Sequence, residues 1–211
     1  MALRWRPMRP KDVPECAEIV TAHAVIGPRY GHAGRNLRPA WMRLLGCEAM
    51  TTAVFEVTRG ARVMIVGVGV GAFVPDGFIR ELKSAPHFWF GPELANRVVV
   101  RNSPVLSNRE VRDANSGEGL KELVWESVIR PEFAARTEIY QLPGNTCVEM
   151  RRGYRFKEMI TSQAESPERL QWAVDAGILL GPRLRPVREI FAAKRRGTFR
   201  AASRGGYHTS A

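Results

Sequence analysis

The 211-residue sequence predicts an α/β (α+β) protein with a mixed central β-sheet flanked by helices, followed by a basic C-terminal extension. Two β-rich apolar runs, 53–57 and 63–74, flank the turn residues Arg59 and Gly60 and predict a β-hairpin in the centre of the sheet. Segments with helical periodicity precede and follow this hairpin. A hydrophobic content of 45% is enough to bury a core.

The N-terminal segment predicts a strand followed by two helices. Residues 3–8 alternate apolar side chains with arginines and suit a short strand at the edge of the sheet. The Gly- and Arg-rich connection 27–35 is interpreted as a mobile loop, and 39–47 as the second helix. The first helix is expected to begin at Lys11-Asp12 and to pack on the sheet through one apolar stripe: Val13, Cys16, Ile19 and Val20.

Glycines alternate with small apolar residues in the second hairpin strand, so that one of its faces carries no side chains. Gly67, Gly69 and Gly71 lie on this bare face. A cofactor lying against the strand would explain the pattern. A β-bulge, or a helix packed close to the backbone, would explain it equally well.

The chain after the hairpin gives less regular patterns. Residues 76–83 predict a short helix, whereas 93–100 fit either a helix or a strand. The region 103–119 is punctuated by turn residues and is predicted to be irregular. Residues 120–129 fit a helical face or a buried strand, and the strand is favoured. The remaining segments predict helices at 132–140 and 145–152, a strand at 154–160 and a helix from Ser166.

The positive charge of the chain is concentrated at its C-terminus. The formal net charge is +11, and residues 183–211 hold eight basic residues against one glutamate, which amounts to +7. This segment is predicted to be a flexible tail that contacts nucleic acid or another polyanion. The alternative is a solubilising end, or one that docks on an acidic surface. The expected organisation is thus a domain at 1–165, a helix and connection at 166–182, and the tail.

Cysteine spacing and hydropathy give expectations about the cellular compartment of the protein. Cys16, Cys47 and Cys147 include no CxxC pair, which argues against a disulfide framework or a zinc site and favours a reducing compartment. The longest apolar run, 63–74, is too short to span a bilayer, and the N-terminus lacks the apolar region of a signal peptide. We therefore expect a soluble cytoplasmic protein that binds no metal.

Three stretches of the sequence resemble the GNAT superfamily of acyl-CoA-dependent N-acetyltransferases. They are LRWRPMRPKDVPECAEIV, GVGVGAFVP and NTCVEMRRGYRF, which resemble the first strand and helix, the central strand, and a late helix with its following strand. The resemblance implies a GNAT-like fold, an acetyl-CoA or other acyl-CoA donor, and a small-molecule or peptide amine acceptor. In this family the donor lies beside the central strand, which here contains Val68, Gly69, Val70, Gly71 and Ala72.

The family holds the CoA pyrophosphate in a loop of the form Q/R-x-x-G-x-G/A at a helix N-terminus, directly after the central strand. Pro75-Asp76-Gly77 stands there instead. The nearest suitably spaced glycines are Gly117 and Gly119. The resemblance therefore leaves two functions open: an acyltransferase, or a catalytically inactive binding or regulatory domain with the same fold.

Glutamates are the candidates for the base that acyl transfer to an amine requires. Glu56 lies on the hairpin, where the alternation of its neighbours predicts that it faces solvent or a groove. Glu126 lies on the strand favoured at 120–129. Glu149 stands four residues before Gly153, where the family often places a tyrosine acid.

Overall fold

A computed structural model describes residues 2–24, 26–84, 90–100, 104–134, 153–161 and 191–194, which form one six-stranded sheet with helices packed on it. The strands are β1 (Ala2–Arg6), β2 (Met50–Arg59), β3 (Arg62–Phe73), β4 (Leu120–Ile129), β5 (Phe156–Thr161) and β6 (Phe191–Lys194). The helices are α1 (Val13–Ala22), α2 (Gly27–Tyr30), α3 (Gly34–Leu44), α4 (Asp76–Ser84), α5 (Phe90–Val100), α6 (Asn108–Ser116) and α7 (Pro131–Ala134).

The sheet is mixed, as the sequence predicts. Its strand order is β1-β2-β3-β4-β5-β6, and all neighbours are antiparallel except β4 and β5, which run parallel. The predicted hairpin is formed by β2 and β3, and Gly60 in its turn has a φ of +60°, a conformation that favours glycine. The predicted fold class and the edge position of β1 are thus confirmed.

The main hydrophobic core lies between the sheet and helices α1, α3 and α5. The predicted stripe of α1 is buried there, and burial raises the pKa of the Cys16 thiol to about 12, as suits a cysteine that only packs. Trp41 of α3 meets Trp125 of β4 edge to face, with ring centroids 6.2 Å apart. The opposite face of the sheet carries a smaller cluster that includes Phe55 and Ile129.

Two β-bulges change the face to which strand residues point. The extra residue is Val66 in β3 and Trp125 in β4. Alternation along β4 is therefore broken: Leu123 and Trp125 join the core under the helices, and so does Val128, while Ile129 joins the cluster on the opposite face.

Side chains of the neighbouring strands fill the bare glycine face of β3. A Cβ on Gly69 would lie 3.3 Å from the Phe55 ring, and one on Gly67 would collide with Ile129. The close approach predicted from the glycines is therefore made by residues of the sheet itself. Bulges, one of the explanations offered for this face, adjoin it at Val66 of β3 and Trp125 of β4.

The structure resolves or corrects three local predictions. The prediction of a mobile loop at 27–35 was wrong, because α2, a 3-10 turn at Gly31–Ala33 and the start of α3 follow one another there. The ambiguous segment 93–100 is helical and belongs to α5. The region predicted to be irregular contains α6, which begins with a capping box: the Ser107 side chain accepts from the Glu110 N–H, and the Glu110 carboxylate accepts from the Ser107 N–H.

Part of the C-terminal extension belongs to the sheet. Strand β6 falls within the predicted tail and pairs antiparallel with β5, so the boundary predicted at 183 does not coincide with the edge of the sheet. The predicted helices at 145–152 and from Ser166, and the rest of the tail, lie outside the described residues. None of the helices in the described ranges is long and apolar enough to cross a membrane.

Candidate functional site

The bulge at Trp125 places Glu126 on the covered face of the sheet. In a regular strand Glu126 would point away from the side on which its neighbour Trp125 lies. Because Trp125 is the extra residue of the bulge, both side chains lie under the helices, where Trp125 packs against Trp41 and Glu126 reaches Tyr30. Glu126 is thereby brought beside α2 and α5.

Tyr30 and Glu126 form a buried hydrogen-bonded pair. The Tyr30 hydroxyl donates to Oε1 of Glu126 at 2.5 Å, and the two residues expose 3% and 7% of their surface. Burial, and then the negative charge of Glu126, raises the pKa of the Tyr30 hydroxyl well above 10.0. Tyr30 is therefore a neutral donor throughout the physiological pH range, and Glu126 receives a charge-assisted hydrogen bond.

The N-terminal turn of α5 completes this pair. The carbonyl of Gly91, the second residue of α5, accepts a hydrogen bond from the Trp125 indole N–H at 3.0 Å. A Cβ on Gly91 would lie 2.5 Å from the Tyr30 hydroxyl oxygen and would overlap Oε1 of Glu126. The absence of a side chain at Gly91 therefore lets Tyr30 and Glu126 meet against the helix. A helix N-terminus also favours a neighbouring carboxylate.

An open cleft of about 310 Å³ adjoins Tyr30, between α2, α3 and α5. Its size lies at the lower end of the range for small-molecule pockets. Tyr30 contributes both to the cleft wall and to the buried pair, so it connects the cleft with Glu126. The lining consists of Arg29, Tyr30, His32, Ala33, Arg35, Asn36, Pro92, Glu93 and Asn96.

Glu56, the first predicted base, lies in an ion-pair network. It is buried, and its carboxylate oxygens are held by Arg4 at 2.6 Å and by Arg6 at 2.7 Å. Arg6 also donates to Asp12 at 2.5 Å. Of the two surroundings predicted for Glu56, solvent is wrong, because these arginines of β1 cover it. It borders instead a second cleft, of about 840 Å³, which Arg130 also lines.

The residues predicted to contact the donor fall in separate places. Within 68–72 of β3, Val70 lies directly opposite Glu126 in the ladder, and its side chain is buried in the main core. Gly117 follows α6, and Gly119 has a φ of +100° and packs against the backbone at the start of β5, at the other end of β4. Glu149 lies outside the described residues.

Sequence reasoning missed Tyr30, Gly91 and the bulge. Only the bulge leaves a trace in the sequence, since Trp125 and Val128 are three residues apart and a regular strand would place them on opposite faces. Tyr30 belonged to the segment interpreted as a mobile loop. Gly91 and Pro92 precede the segment 93–100 to which the helix-or-strand prediction was confined, although proline is well tolerated in the first turn of a helix, where it stands in α5.

No protein-family model and no curated protein matches the chain. Among solved structures, the C-terminal condensation domain of Ebony in complex with beta-alanyl-dopamine is similar, with a TM-score of 0.50 and 13% identity over 82% of this chain and 80% of that chain. An acetyltransferase of Trypanosoma brucei has a TM-score of 0.46 and 15% identity over 88% of this chain and 99% of that chain. The NatC complex bound to Gag peptide and CoA has a TM-score of 0.42 and 10% identity over 85% of this chain and 84% of that chain. The likeness to the Ebony domain concerns the fold alone, and with the strand order of the sheet it confirms the predicted GNAT-like fold.

Proposed function

We propose that this protein transfers an acetyl or acyl group from acyl-CoA to an amine, with Glu126 and Tyr30 at the reacting centre. The observation that carries the proposal is the buried Tyr30–Glu126 pair, which the bulge at Trp125 places beside a cleft of about 310 Å³. β-Bulges are over-represented next to active sites, where they re-aim a side chain. A fixed carboxylate beside a small-molecule cleft is suited to accept a proton from an amine.

Acyl transfer to an amine needs a proton acceptor and a proton donor. The C–N bond forms as the amine nitrogen attacks the thioester carbonyl, and the C–S bond breaks with its electron pair going to sulfur. The Tyr30 hydroxyl oxygen accepts the proton that the nitrogen loses while its own proton passes to Glu126 through their hydrogen bond. The sulfur leaves as a thiolate, and Glu126 returns the proton to it through Tyr30, so that both groups return to their starting states.

We assign the acyl donor to the second half of β4. Within the described residues, β5 pairs with β4 only from Leu120 to Val124, whereas residues 67–72 of β3 are paired on both sides. The edge of β4 after Val124 is therefore the place where a ligand could lie beside the centre of the sheet, and this part of β4 contains Glu126. A phosphate loop directly after β4 would begin at Arg130, as the form Q/R-x-x-G-x-G/A requires, although Phe133 stands where the first glycine is expected.

Calorimetry with acetyl-CoA and a thiol-release assay with primary amines test the proposal. Glu126→Gln keeps the shape of the side chain and removes the proton acceptor. We expect acetyl-CoA affinity to stay unchanged and turnover to fall by a factor of about 10²–10⁴. Glu18→Gln changes an exposed glutamate of α1 and is the matched control, which should turn over normally. Equal turnover in the two variants would remove Glu126 from the mechanism, and a lack of acetyl-CoA binding at millimolar concentration would overturn acyl transfer.

The second candidate is a catalytically inactive GNAT-like binding or regulatory domain. Phe133 favours it, because a glycine at that position lets the backbone approach a pyrophosphate and a phenylalanine does not. In this alternative the basic segment 183–211 contacts nucleic acid or another polyanion. Binding of an oligonucleotide that weakens steeply with salt, together with no acetyl-CoA binding, would favour this candidate.

A further inference from the structure

We propose that the cleft beside Tyr30 takes an amine that also carries a carboxylate, as an amino acid or a peptide with a free C-terminus does. The inference rests on the proposed function, because it names the class of acceptor for the same site. It is carried by the charges that line the cleft and by the helices that hold them.

Basic side chains outnumber acidic ones in the described lining of the cleft. Arg29, His32 and Arg35 stand along one wall, which is formed by α2, the 3-10 turn after it and the start of α3. Among the residues that the structure describes, the one acidic member of the lining is Glu93 on the opposite wall, and its carboxylate is bonded to the Arg97 guanidinium at 2.6 Å. Glu93 is thus paired, although Arg97 also binds Glu81. Among the described lining residues, the Arg35 guanidinium presents its positive charge to a ligand.

Arg35 is the residue best placed to bind an anion. Its side chain is exposed, and in the part of the chain that the structure describes it makes no ion pair. A guanidinium group binds a carboxylate through two parallel hydrogen bonds, which fixes orientation as well as charge. An amine without an anionic group would leave these donors in water and gain nothing from them.

The two walls are held together before any ligand arrives. The Asn36 side-chain amide donates to the Asn96 side-chain carbonyl at 3.1 Å, from α3 to α5. Near the C-terminal end of α3, the Arg43 guanidinium donates to the Val98 carbonyl of α5 at 2.7 Å. A cleft with fixed walls orders few side chains on binding and therefore loses little affinity to entropy.

The acceptor in this cleft spans two defined points. Its amine lies toward Tyr30, behind which Glu126 receives the proton, and its carboxylate lies at Arg35 on the wall. A phosphate of the acyl donor is the other source of negative charge that Arg35 could bind. The test therefore measures the affinity for CoA as well as the preference among acceptors.

The probes are glycine, β-alanine and phenylalanine, each compared with its amide and with the amine that lacks the carboxylate. KM is measured at saturating acetyl-CoA, and binding is measured by calorimetry without it. We expect each carboxylate-bearing probe to bind about 10- to 100-fold more tightly than its amide. Arg35→Gln should abolish this preference and leave the affinity for CoA unchanged. Arg38→Gln changes another exposed arginine of α3, one that is not among the lining residues, and should retain the preference.

The outcomes separate this inference from the proposed function. Turnover of amines with the same KM for all three members of each series would overturn the carboxylate preference and leave acyl transfer standing. Tighter binding of the carboxylate-bearing probes without any turnover would support the cleft assignment and contradict acyl transfer. A loss of CoA affinity in Arg35→Gln with the acceptor preference intact would assign Arg35 to the donor and overturn the inference.

Discussion

Arg6 and Asp12 form a two-point ion pair that joins the edge strand β1 to the start of α1: the guanidinium donates to Oδ2 at 2.5 Å and to Oδ1 at 3.0 Å. The same guanidinium meets Glu56 of β2 at 2.7 Å. Asp12 and Glu56 expose only 5% and 3% of their surface, so both buried carboxylates depend on Arg6. β1 has no fully buried residue, so these ion pairs add to its backbone pairing with β2 in holding it in place.

Replacing Arg6 by methionine should lower the free energy of unfolding by about 3–5 kcal/mol, because two buried carboxylates lose their shared partner. Arg4→Gln is the control: Arg4 also pairs with Glu56, but 58% of its side chain is exposed, so its loss should cost no more than about 1 kcal/mol. Urea unfolding followed by circular dichroism measures both variants. If the two lose the same stability, Arg6 does not compensate both acids.

Asp12 should give the protein an acid-sensitive component of stability. The hydrogen bonds from Arg6 are the largest cause that lowers the pKa of Asp12 below 3.8. In the unfolded chain the pKa returns to about 3.9, so the unfolded state binds more protons as the pH falls. The stabilisation is therefore fully present above the unfolded pKa and is lost as the pH falls through the folded one.

We accordingly expect the difference in unfolding free energy between the native protein and Asp12→Asn to be constant above about pH 5 and to shrink below about pH 4. Urea unfolding across this pH range measures it. Asp113→Asn removes a carboxylate that is 71% exposed and should show no such trend. The same trend in both variants would mean that overall charge, and not the ion pair with Arg6, sets the acid sensitivity.

Periodic patterns explain how much of the fold could be predicted. The hairpin and the α1 stripe were predicted because one repeated face in each is buried, and burial of a face is what periodicity reports. The helical segment around Tyr30 was not predicted, because α2 has only four residues. Its stability comes from the packing of Tyr30 and not from helix propensity. α6 was missed although its capping-box residues Ser107 and Glu110 have the expected spacing.

The candidate site could be predicted only in part, for a physical reason. Glu126 was named from its residue type and its strand, but its partner Tyr30 is 96 residues away in the chain. The contact depends on the face of the sheet to which Glu126 points, and the bulge at Trp125 moves Glu126 to the face that the helices cover. A bulge changes strand parity by one residue, and a pattern of apolar and polar residues alone does not fix where this happens.

Gly91→Ala should destabilise the protein by about 1–3 kcal/mol, because the added methyl group overlaps Glu126 and the Tyr30 hydroxyl. Gly77, the second residue of α4 as Gly91 is of α5, has open space where a Cβ would stand. Gly77→Ala should therefore be neutral, or stabilising by up to about 1 kcal/mol through helix propensity. Thermal unfolding compares the two, and a stable Gly91→Ala would show that the pair tolerates displacement.

Tyr30→Phe should lower the free energy of unfolding at neutral pH by about 1–3 kcal/mol, since Glu126 keeps a buried carboxylate and loses a donor. The pH dependence supplies a second readout. Because the pKa of Tyr30 is raised in the folded state, the unfolded state loses the phenolic proton first, and the stability of the native protein falls as the pH rises above about 10. The cost of Tyr30→Phe should therefore shrink in that range.

Urea unfolding of the native protein and Tyr30→Phe at neutral and alkaline pH measures this change, and the ultraviolet absorbance of tyrosinate reports which hydroxyl ionises. Tyr154→Phe is the control, because Tyr154 is only partly buried and packs against Phe73 through its ring. It should cost no more than about 0.5 kcal/mol at neutral pH. If Tyr30 ionises in the folded protein near pH 10, its hydroxyl is open to solvent and the buried pair with Glu126 does not persist in solution.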